Sequence, residues 1–329
     1  MSGEEPFTEE LPEETAGSIA ETGRVRPIAP GLYLVATPIG NLEDITLRAL
    51  RVLREADRIA CEDTRQTQKL LNHFGINVPT VSLHQHNERE RAGELVAELQ
   101  AGGRIALVSD AGMPGINDPG VLLTHAAIAA GVAVTPVPGA NAAVTALIAS
   151  GLSTADFRFL GFLPEKAGAR RTALEALAQA ISEEGASVER PRTLIFYEAP
   201  HRILETLGDL AAVWGPALRV VVARELTKLH EEFVRGTVAE VKTELASRDR
   251  VRGEITLLVE AIPVAGGAET GMQSLVARLK QFESEEGLSE KDGLKRLARE
   301  LGQSKSDVYR ELQRERASKA GSARRSQNG

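Results

Sequence analysis

Residues 108–120 are the part of this sequence best suited to chemistry. They read Val-Ser-Asp-Ala-Gly-Met-Pro-Gly-Ile-Asn-Asp-Pro-Gly. Side chains this short leave backbone N–H and C=O groups accessible, and Asp110 and Asp118 can accept hydrogen bonds from ribose hydroxyls or from an amino group. Such a loop suits an adenosyl ligand that carries a sulfonium and an amino acid tail. A purely structural loop is the alternative, and we disfavour it because long loops inside compact domains are usually functional.

The same residues exclude two common nucleotide-binding motifs. The Gly-Lys-Ser/Thr of a Walker loop is absent, and so is the Gly-x-Gly-x-x-Gly of a dinucleotide fold. The ligand that residues 108–120 predict is therefore held by a different kind of loop.

Two further turns place small residues where a strand gives way to a helix. Residues 37–42 follow the first predicted strand, and their Pro and Gly shape a tight loop whose backbone can approach a ligand. Taken alone, these residues are better explained by an ordinary strand-to-helix turn capped by Thr46. Residues 138–147 begin with Pro-Gly and continue as a helix of very small residues. These residues admit a flat ring or a second helix at close range, and tight helix–sheet packing explains them equally well.

Four polar clusters complete the candidates, at residues 61–65, 84–88, 197–202 and 224–228. His84 and His86 could bind a metal from one face of a strand, but no cysteine or carboxylate stands at a standard zinc spacing. We therefore favour a polar loop there and predict no metal site. Glu and Arg pairs at strand ends can be ion pairs that hold loops. Several clusters at the carboxyl ends of strands point to one shared cleft.

The surrounding pattern is that of an α/β protein, in which short apolar strands alternate with helices of 10–15 residues. This alternation predicts a largely parallel sheet in the first half of the chain and a second α/β unit after it. The predicted strands are residues 32–36, 59–61, 105–109, 132–137, 159–163, 193–197, 219–223, 233–235 and 255–260, and the predicted helices include 47–53, 121–130, 142–150, 165–181, 204–210 and 238–245.

The chain is 329 residues long, which suggests two domains with extensions. We predict a disordered acidic leader at residues 1–28, a first α/β domain at 29–154 and a second at 155–262. Residues 261–270 look like a linker, residues 271–315 form a small helical segment, and residues 316–329 are a disordered basic tail.

The helical segment carries two capping signals. Ser289 and Ser304 each precede an aspartate by three residues, Asp292 and Asp307, which is the spacing of a capping box. Two short helices joined near Gly302 resemble a helix-turn-helix. A helical hairpin that packs on the body or on another subunit is the alternative, and we favour it.

Composition restricts the class of protein only weakly. The seven glutamates of residues 1–22 account for the whole formal charge of −7, so the acidic balance does not argue against an RNA partner. No apolar run is long enough for a membrane span, and no secretory signal is present. The single cysteine, Cys61, fits a reducing, cytoplasmic location.

Taken together, these motifs resemble the tetrapyrrole methylase superfamily and, within it, the branch that methylates ribosomal RNA. The resemblance covers about residues 31–315. The Asp-Ala-Gly-x-Pro loop belongs to the wider superfamily, whereas two pieces point to the ribosomal branch. Those pieces are Glu-Asp-Thr-Arg at residues 62–65 and Glu-Ala-Pro-His-Arg at residues 198–202, and the acidic leader lies outside the pattern.

The resemblance implies two α/β domains with S-adenosylmethionine in the cleft between them, usually in a homodimer. It implies methylation of the ribose 2′-hydroxyl of cytidine 1402 in the 16S RNA of the small ribosomal subunit. We expect the cofactor to contact ten residues of the three loops, and we expect RNA contacts from Arg65, His201, Arg202 and Arg224. The ten are Pro38, Gly40, Asp110, Ala111, Gly112, Pro114, Asp118, Pro138, Gly139 and Ala140.

Methyl transfer needs an in-line approach of the hydroxyl, and a base that takes its proton adds ~10²–10⁴-fold. Our candidates for this base are Asp63, Glu198 and Glu225, or Lys228 if burial lowers its pKa. Two other functions stay open at this point. One is C-methylation of a precorrin-type tetrapyrrole, and the other is a non-catalytic RNA-binding assembly factor.

Overall fold

The computed structural model describes residues 27–185, 191–261 and 288–300, together with ten positions between 275 and 313. Most of the predicted leader, the linker from residue 262 onward and the predicted tail lie outside the described residues. Within the described part, two five-stranded sheets follow each other along the chain, each with helices packed against it.

The first sheet is entirely parallel, as the sequence predicts, in the order β3-β2-β4-β1-β5. The central strands are uniform apolar runs because helices cover both faces of the sheet. The strands are β1 (Gly31–Val35), β2 (Arg58–Cys61), β3 (Thr80–Ser82), β4 (Arg104–Val108) and β5 (Val134–Val137), and the helices are α1 (Leu47–Glu55), α2 (Thr64–His73), α3 (Glu88–Gln100), α4 (Val121–Ala129) and α5 (Ala142–Ser150).

The second sheet is mixed, in the order β6-β7-β10-β8-β9. The pair β6 and β7 is parallel, and the other three pairs are antiparallel. Its strands are β6 (Phe157–Phe162), β7 (Arg192–Glu198), β8 (Arg219–Arg224), β9 (Glu232–Thr237) and β10 (Ile255–Ala261), and its helices are α6 (Ala167–Gly185), α7 (Ile203–Trp214) and α8 (Val238–Ala246).

Helix α5 joins the two halves. It follows β5 of the first sheet, yet its buried residues Ala143, Ala146 and Leu147 pack in one cluster with Ile195 and Leu258 of the second sheet. Small side chains let the helix lie close to the strands, which is the tight helix–sheet packing considered for residues 138–147. The carboxyl edge of the first sheet therefore faces the second sheet.

The C-terminal segment is helical where the structure describes it. Helix α9 (Glu290–Glu300) begins after Ser289, whose hydroxyl accepts the Asp292 N–H at 3.3 Å, so the first predicted cap is confirmed. The second cap and Gly302 lie outside the described residues. Apolar side chains of this segment form a small cluster of their own, namely Leu275, Leu279, Phe282, Leu294, Leu297, Ala298, Val308 and Leu312.

No helix in the described part of the chain combines the length and apolarity needed to cross a bilayer. No group of three or more His, Cys, Asp or Glu side chains among the same residues has the arrangement of a metal site.

Candidate functional site

A cavity of about 440 Å³ lies between the two halves. Its walls come from the loops after β1, β4 and β5, from the ends of β6, β7 and β8, and from the start of β10. Apolar side chains such as Ile39 and Leu226 line it together with polar ones such as Asn117, Asp118 and Thr256. A mainly apolar cavity of this size with a few convergent polar groups is typical of a small-molecule site.

The two loops of the first sheet that bound this cavity are tied to each other. Thr37 and Gly112 exchange backbone hydrogen bonds of 2.9 and 3.0 Å, and the buried Thr37 hydroxyl donates to the Ser109 carbonyl at 3.1 Å. Gly112 has a φ of +85°, which glycine adopts without strain. Residues 37–42 and 108–120 therefore form one rigid wall.

The loop of residues 108–120 is also anchored at its far end. Glu88 is buried, and its carboxylate accepts the N–H groups of Gly120 and Leu122 at 2.8 and 2.9 Å. It thereby caps the start of α4, where a negative charge is favourable. Glu88, which the sequence places in a polar cluster, thus has a structural role at the edge of the site.

The same loop touches the second half at Gly161. The amide of Asn117 lies so close to Gly161 that a Cβ there would stand 2.6 Å from Nδ2. Both residues have positive φ, 62° at Asn117 and 67° at Gly161. Glycine at 161 therefore permits the contact that holds Asp118 opposite Phe162 and Tyr197 across the cavity.

A second contact between the halves involves Gly40 and Lys228. A Cβ at Gly40 would stand 2.4 Å from Cγ of Lys228, so the loop after β1 lies directly on the lysine side chain. The Lys228 ammonium donates to Glu225 at 2.9 Å and to Glu254 at 3.0 Å. Predicted residues from two distant parts of the sequence are thus brought together.

This lysine does not meet the condition set for a base. Burial alone would lower the pKa of Lys228, but its hydrogen bonds to Glu225 and Glu254 outweigh burial and raise it. The condition for Lys228 to act as the base, a pKa lowered by burial, is therefore not met, because two carboxylates stabilise the ammonium. The Glu254 N–H and then Lys228 lower the pKa of Glu225, which makes that carboxylate a weak proton acceptor.

Glu198 lies in the cavity wall but is tied into its own loop. One oxygen accepts the Ala199 N–H at 2.8 Å, and the other accepts the Thr206 hydroxyl at 2.6 Å. Arg202 pairs with the same carboxylate at 3.0 Å and donates to the Leu163 carbonyl at 2.8 Å. These contacts give both Glu198 and Arg202 a structural role, so Arg202 is not free to bind phosphate as expected.

Arg224 is also committed to the protein. It donates to Glu232 at 2.9 Å, and Arg248 donates to the same carboxylate at 2.7 Å. The hydrogen bond from Arg248 is the main reason that the pKa of Glu232 falls to about 2, with a smaller contribution from Arg224. The prediction that Arg224 contacts RNA is not supported by this geometry, because its guanidinium already holds β8, β9 and the residues after α8.

Asp63 and Arg65 begin helix α2 at the neighbouring strand end. Asp63 caps the helix by accepting the Arg65 N–H at 2.8 Å, and this hydrogen bond is the main cause of its lowered pKa. The Asp63 N–H in turn donates to Asp110 at 3.3 Å. The Arg65 side chain is 90% exposed, and His201 is also exposed, so these two predicted RNA-binding residues are accessible.

Asp118 has a different environment from these carboxylates. Burial is the largest cause that raises its pKa to about 6, and the charges of Glu62 and Asp110 add to it. The Ser109 hydroxyl acts in the opposite direction by hydrogen bonding. Burial, followed by Asp110, also raises the pKa of Glu62. The first sheet thus presents a group of acidic side chains to the cavity, which favours a cationic ligand.

An aromatic group at the mouth of the cavity has no role assigned by the sequence analysis. Phe162 lines the cavity and is 58% exposed. Its ring centroid lies 5.7 Å from that of Tyr197, which contacts Phe159 in turn at 4.9 Å. An exposed ring that neighbouring aromatic rings hold in place can stack on a planar ligand. Its only signal in the sequence is a phenylalanine at the end of a strand that precedes Leu-Pro.

The ten residues predicted to bind a cofactor all lie in the three loops at this edge, but they are not equally close to the cavity. Ala111, Gly112 and Asp118 line it directly. From the turn after β5, the residues in the wall are Asn141 and Ala142. Gly139 instead approaches the end of β1, where a Cβ would stand 2.8 Å from that of Ala36. The remaining predicted residues lie in the same loops but not in the cavity wall, namely Pro38, Gly40, Asp110, Pro114, Pro138 and Ala140.

Known proteins resemble this chain in sequence and in fold. The family model described as Tetrapyrrole (Corrin/Porphyrin) Methylases matches residues 31–242. A Halalkalibacterium halodurans protein named Ribosomal RNA small subunit methyltransferase I is 48% identical over 280 residues, which are 84% of this chain and 93% of that protein. A Pseudomonas aeruginosa protein of the same name is 49% identical over 240 residues, 73% of this chain and 82% of that protein.

Solved structures share the fold. Diphthine synthase superposes with a TM-score of 0.53 at 17% identity, over 70% of this chain and 89% of that one. The methyltransferase CobJ superposes with a TM-score of 0.51 at 18% identity, over 73% of this chain and 97% of that one. The fold predicted from the motifs is confirmed, and this chain belongs to the tetrapyrrole methylase family and, within it, to the family of the ribosomal RNA small subunit methyltransferases I.

Proposed function

We propose that this protein transfers a methyl group from S-adenosylmethionine to the ribose 2′-hydroxyl of cytidine 1402 in the 16S RNA of the small ribosomal subunit. The observation that carries the proposal is the cavity between the halves. One wall of this cavity has acidic side chains that favour a cation, and the other has an exposed aromatic ring. The names of its relatives specify small-subunit ribosomal RNA as their substrate.

The cavity fits the cofactor in size and chemistry. Ala142, Ala223 and Ile255 offer an apolar surface for the flat adenine ring, and Thr256 supplies a hydroxyl beside it. On the opposite wall, Asp118 and its acidic neighbours complement the positive sulfonium group. The cofactor supplies an activated methyl group on sulfur, and the protein has to hold the hydroxyl in line with it.

The mouth of the cavity fits a nucleotide turned out of its RNA strand. Bases in single-stranded RNA are commonly stacked on aromatic side chains, and Phe162 is the ring exposed at this mouth. Arg65 and His201 are exposed near the strand ends and can donate to phosphates. We therefore assign the RNA contacts to Phe162, Arg65 and His201, and we assign loop-holding roles to Arg202 and Arg224.

We also propose that the protein is a homodimer, in the cytoplasm where its substrate resides. Large apolar side chains are exposed on α4 and α5, where Ile128 and Ile148 are 59% and 73% exposed. A symmetric interface would cover such residues on both copies at once. Size-exclusion chromatography with light scattering tests this proposal, and a monomer at micromolar concentration would contradict it.

The decisive experiment is transfer of a tritiated methyl group to small ribosomal subunits that lack this modification, with the site mapped by resistance to alkaline hydrolysis. Label at a single alkali-resistant cytidine linkage is the expected result. Methyl transfer to a precorrin-type tetrapyrrole, with none to 30S subunits or free RNA, would show that the substrate is a tetrapyrrole and not RNA. Thermal stabilisation by S-adenosylhomocysteine tests separately whether the cavity binds the cofactor, and a non-catalytic assembly factor that has lost this ligand would show no shift.

A further inference from the structure

We propose that Asp118 is the group that accepts the proton of the substrate hydroxyl. This inference rests on the function proposed above and goes beyond it, because the sequence analysis gave Asp118 to the cofactor and sought the base elsewhere.

Asp118 is held in a fixed place in the cavity wall. Its neighbour Asn117 packs on Gly161, and two residues later the Gly120 N–H is bound by Glu88 at 2.8 Å. Both ends of this short stretch are therefore anchored, one to each half of the protein. A group that must meet a substrate hydroxyl needs this kind of positioning.

The other carboxylates of the cavity are occupied. In the described part of the chain, the acidic residues that line it are Asp118, Glu198 and Glu254. Glu198 accepts hydrogen bonds on both oxygens, and Glu254 pairs with the Lys228 ammonium at 3.0 Å. Both carboxylates are therefore already held by partners within the protein.

The charged groups that act on Asp118 all favour its protonated form, and its one hydrogen-bonding neighbour opposes them. Glu62 approaches from the end of β2, and Asp110 lies on the same loop. The Tyr197 phenol of β7 is also close, because the charge of Asp118 raises the pKa of Tyr197. The Ser109 hydroxyl is the hydrogen-bonding neighbour. No cation among the described residues is a cause of its shift. Asp118 is thus a stronger base than an exposed aspartate, yet it is still ionised at neutral pH.

In the proposed step, the ribose oxygen forms a bond to the methyl carbon, the carbon–sulfur bond breaks, and its electron pair stays on sulfur as the neutral thioether. The hydroxyl proton moves to the Asp118 carboxylate, which releases it to solvent after the product leaves. The positive charge of the sulfonium and the negative charge of Asp118 are both lost, so no net charge builds up in the cavity.

The test is the single-turnover rate of methyl transfer at saturating S-adenosylmethionine and 30S subunits, measured from pH 5 to pH 9. Asp118→Asn should lower this rate ~10²–10⁴-fold and abolish the rise of the wild-type rate across pH 5–7. Asp118→Glu should restore part of the rate together with that rise. Asp57→Asn is the matched control, because Asp57 lies at the opposite edge of the same sheet in an ion pair with Arg104.

Binding measurements separate a proton acceptor from a cofactor ligand. Calorimetry with S-adenosylhomocysteine should give an affinity for Asp118→Asn within about threefold of wild type. A loss of affinity as large as the loss of rate would overturn the proposal and return Asp118 to cofactor binding. A variant that keeps the wild-type rate and pH profile would also overturn it. If the wild-type protein itself transfers no methyl group to 30S subunits, the proposed function fails instead.

Discussion

Replacing Asp118 with asparagine should stabilise the protein at neutral pH but not in acid. The pKa of Asp118 is raised from 3.8 to about 6, chiefly by burial. The folded state therefore binds this proton more tightly than the unfolded chain does. The stability that depends on it is fully present below pH 3.8 and is lost as the pH rises through about 6. Asparagine has nearly the same shape and does not titrate, so the variant avoids this loss.

The size of the effect follows from the shift in pKa. A rise of about 2 in the pKa corresponds to about 3 kcal/mol in the free energy of unfolding. The Asp118 side chain keeps some contact with solvent, which reduces this value. We therefore expect Asp118→Asn to be about 1–3 kcal/mol more stable than wild type above pH 7, with the difference falling toward zero near pH 4.

Urea unfolding followed by circular dichroism from pH 4 to pH 8 measures this difference directly. Asp57→Asn gives a control of opposite sign, because the hydrogen bond from Arg104 lowers the pKa of Asp57. Its variant should be less stable than wild type at neutral pH, by an amount that shrinks as the pH falls through the acid range. A constant difference between wild type and Asp118→Asn across this range, or a loss of stability at pH 8, would refute the assigned environment.

Three further substitutions test the rest of the site. Phe162→Ala should raise KM for 30S subunits about 10–100-fold through lost stacking. Its affinity for S-adenosylhomocysteine, measured by calorimetry, should stay unchanged. Equal losses of affinity for 30S subunits and for S-adenosylhomocysteine would assign the ring to cofactor binding instead. Gly40→Ala places a Cβ 2.4 Å from Lys228 Cγ, so it should lower the unfolding free energy by about 1–3 kcal/mol and weaken cofactor binding. Unchanged urea unfolding and affinity would contradict that contact. Glu232→Gln should destabilise the protein by about 1–3 kcal/mol at pH 7, because two arginines lose their carboxylate. This difference should shrink as the pH falls from 4.5 toward about 2, and a pH-independent difference would contradict the ion pairs.

The sequence predicts most elements because their apolar periodicity is strong. Helix α5 and four of the five strands of the first sheet, β1, β2, β4 and β5, lie within two residues of their expected positions. Strand β3 and helix α3 are missed. Three residues are too few for a visible alternation, and the sequence of α3, Glu-Arg-Glu-Arg-Ala-Gly-Glu-Leu, begins with charges on every side. The mixed order of the second sheet is also not predictable, because strand direction depends on how β8, β9 and β10 meet in space.

The loops of the site are visible in the sequence, whereas the roles of their side chains are not. Short residues and Pro-Gly pairs after strands identify residues 37–42, 108–120 and 138–147 without any structure. The commitment of Arg224 to Glu232 depends on Arg248, and that of Lys228 depends on Glu254. No spacing rule links these partners along the chain. The exposure of Phe162 likewise depends on the irregular pairing at Gly161.

The carboxylates of the site have different roles because the groups around them differ. Asp63, Glu198 and Glu225 each accept a backbone N–H, and each fixes the loop that carries it. The hydrogen bonds that fix Asp63 and Glu225 also stabilise their charges and lower their pKa values, which makes these two carboxylates poor proton acceptors. Asp118 faces acidic neighbours in the cavity, and its charge destabilises the folded state. A residue that lowers stability is expected in a catalytic site. A group that takes a proton from the substrate must not be fully hydrogen-bonded or ion-paired before the substrate binds.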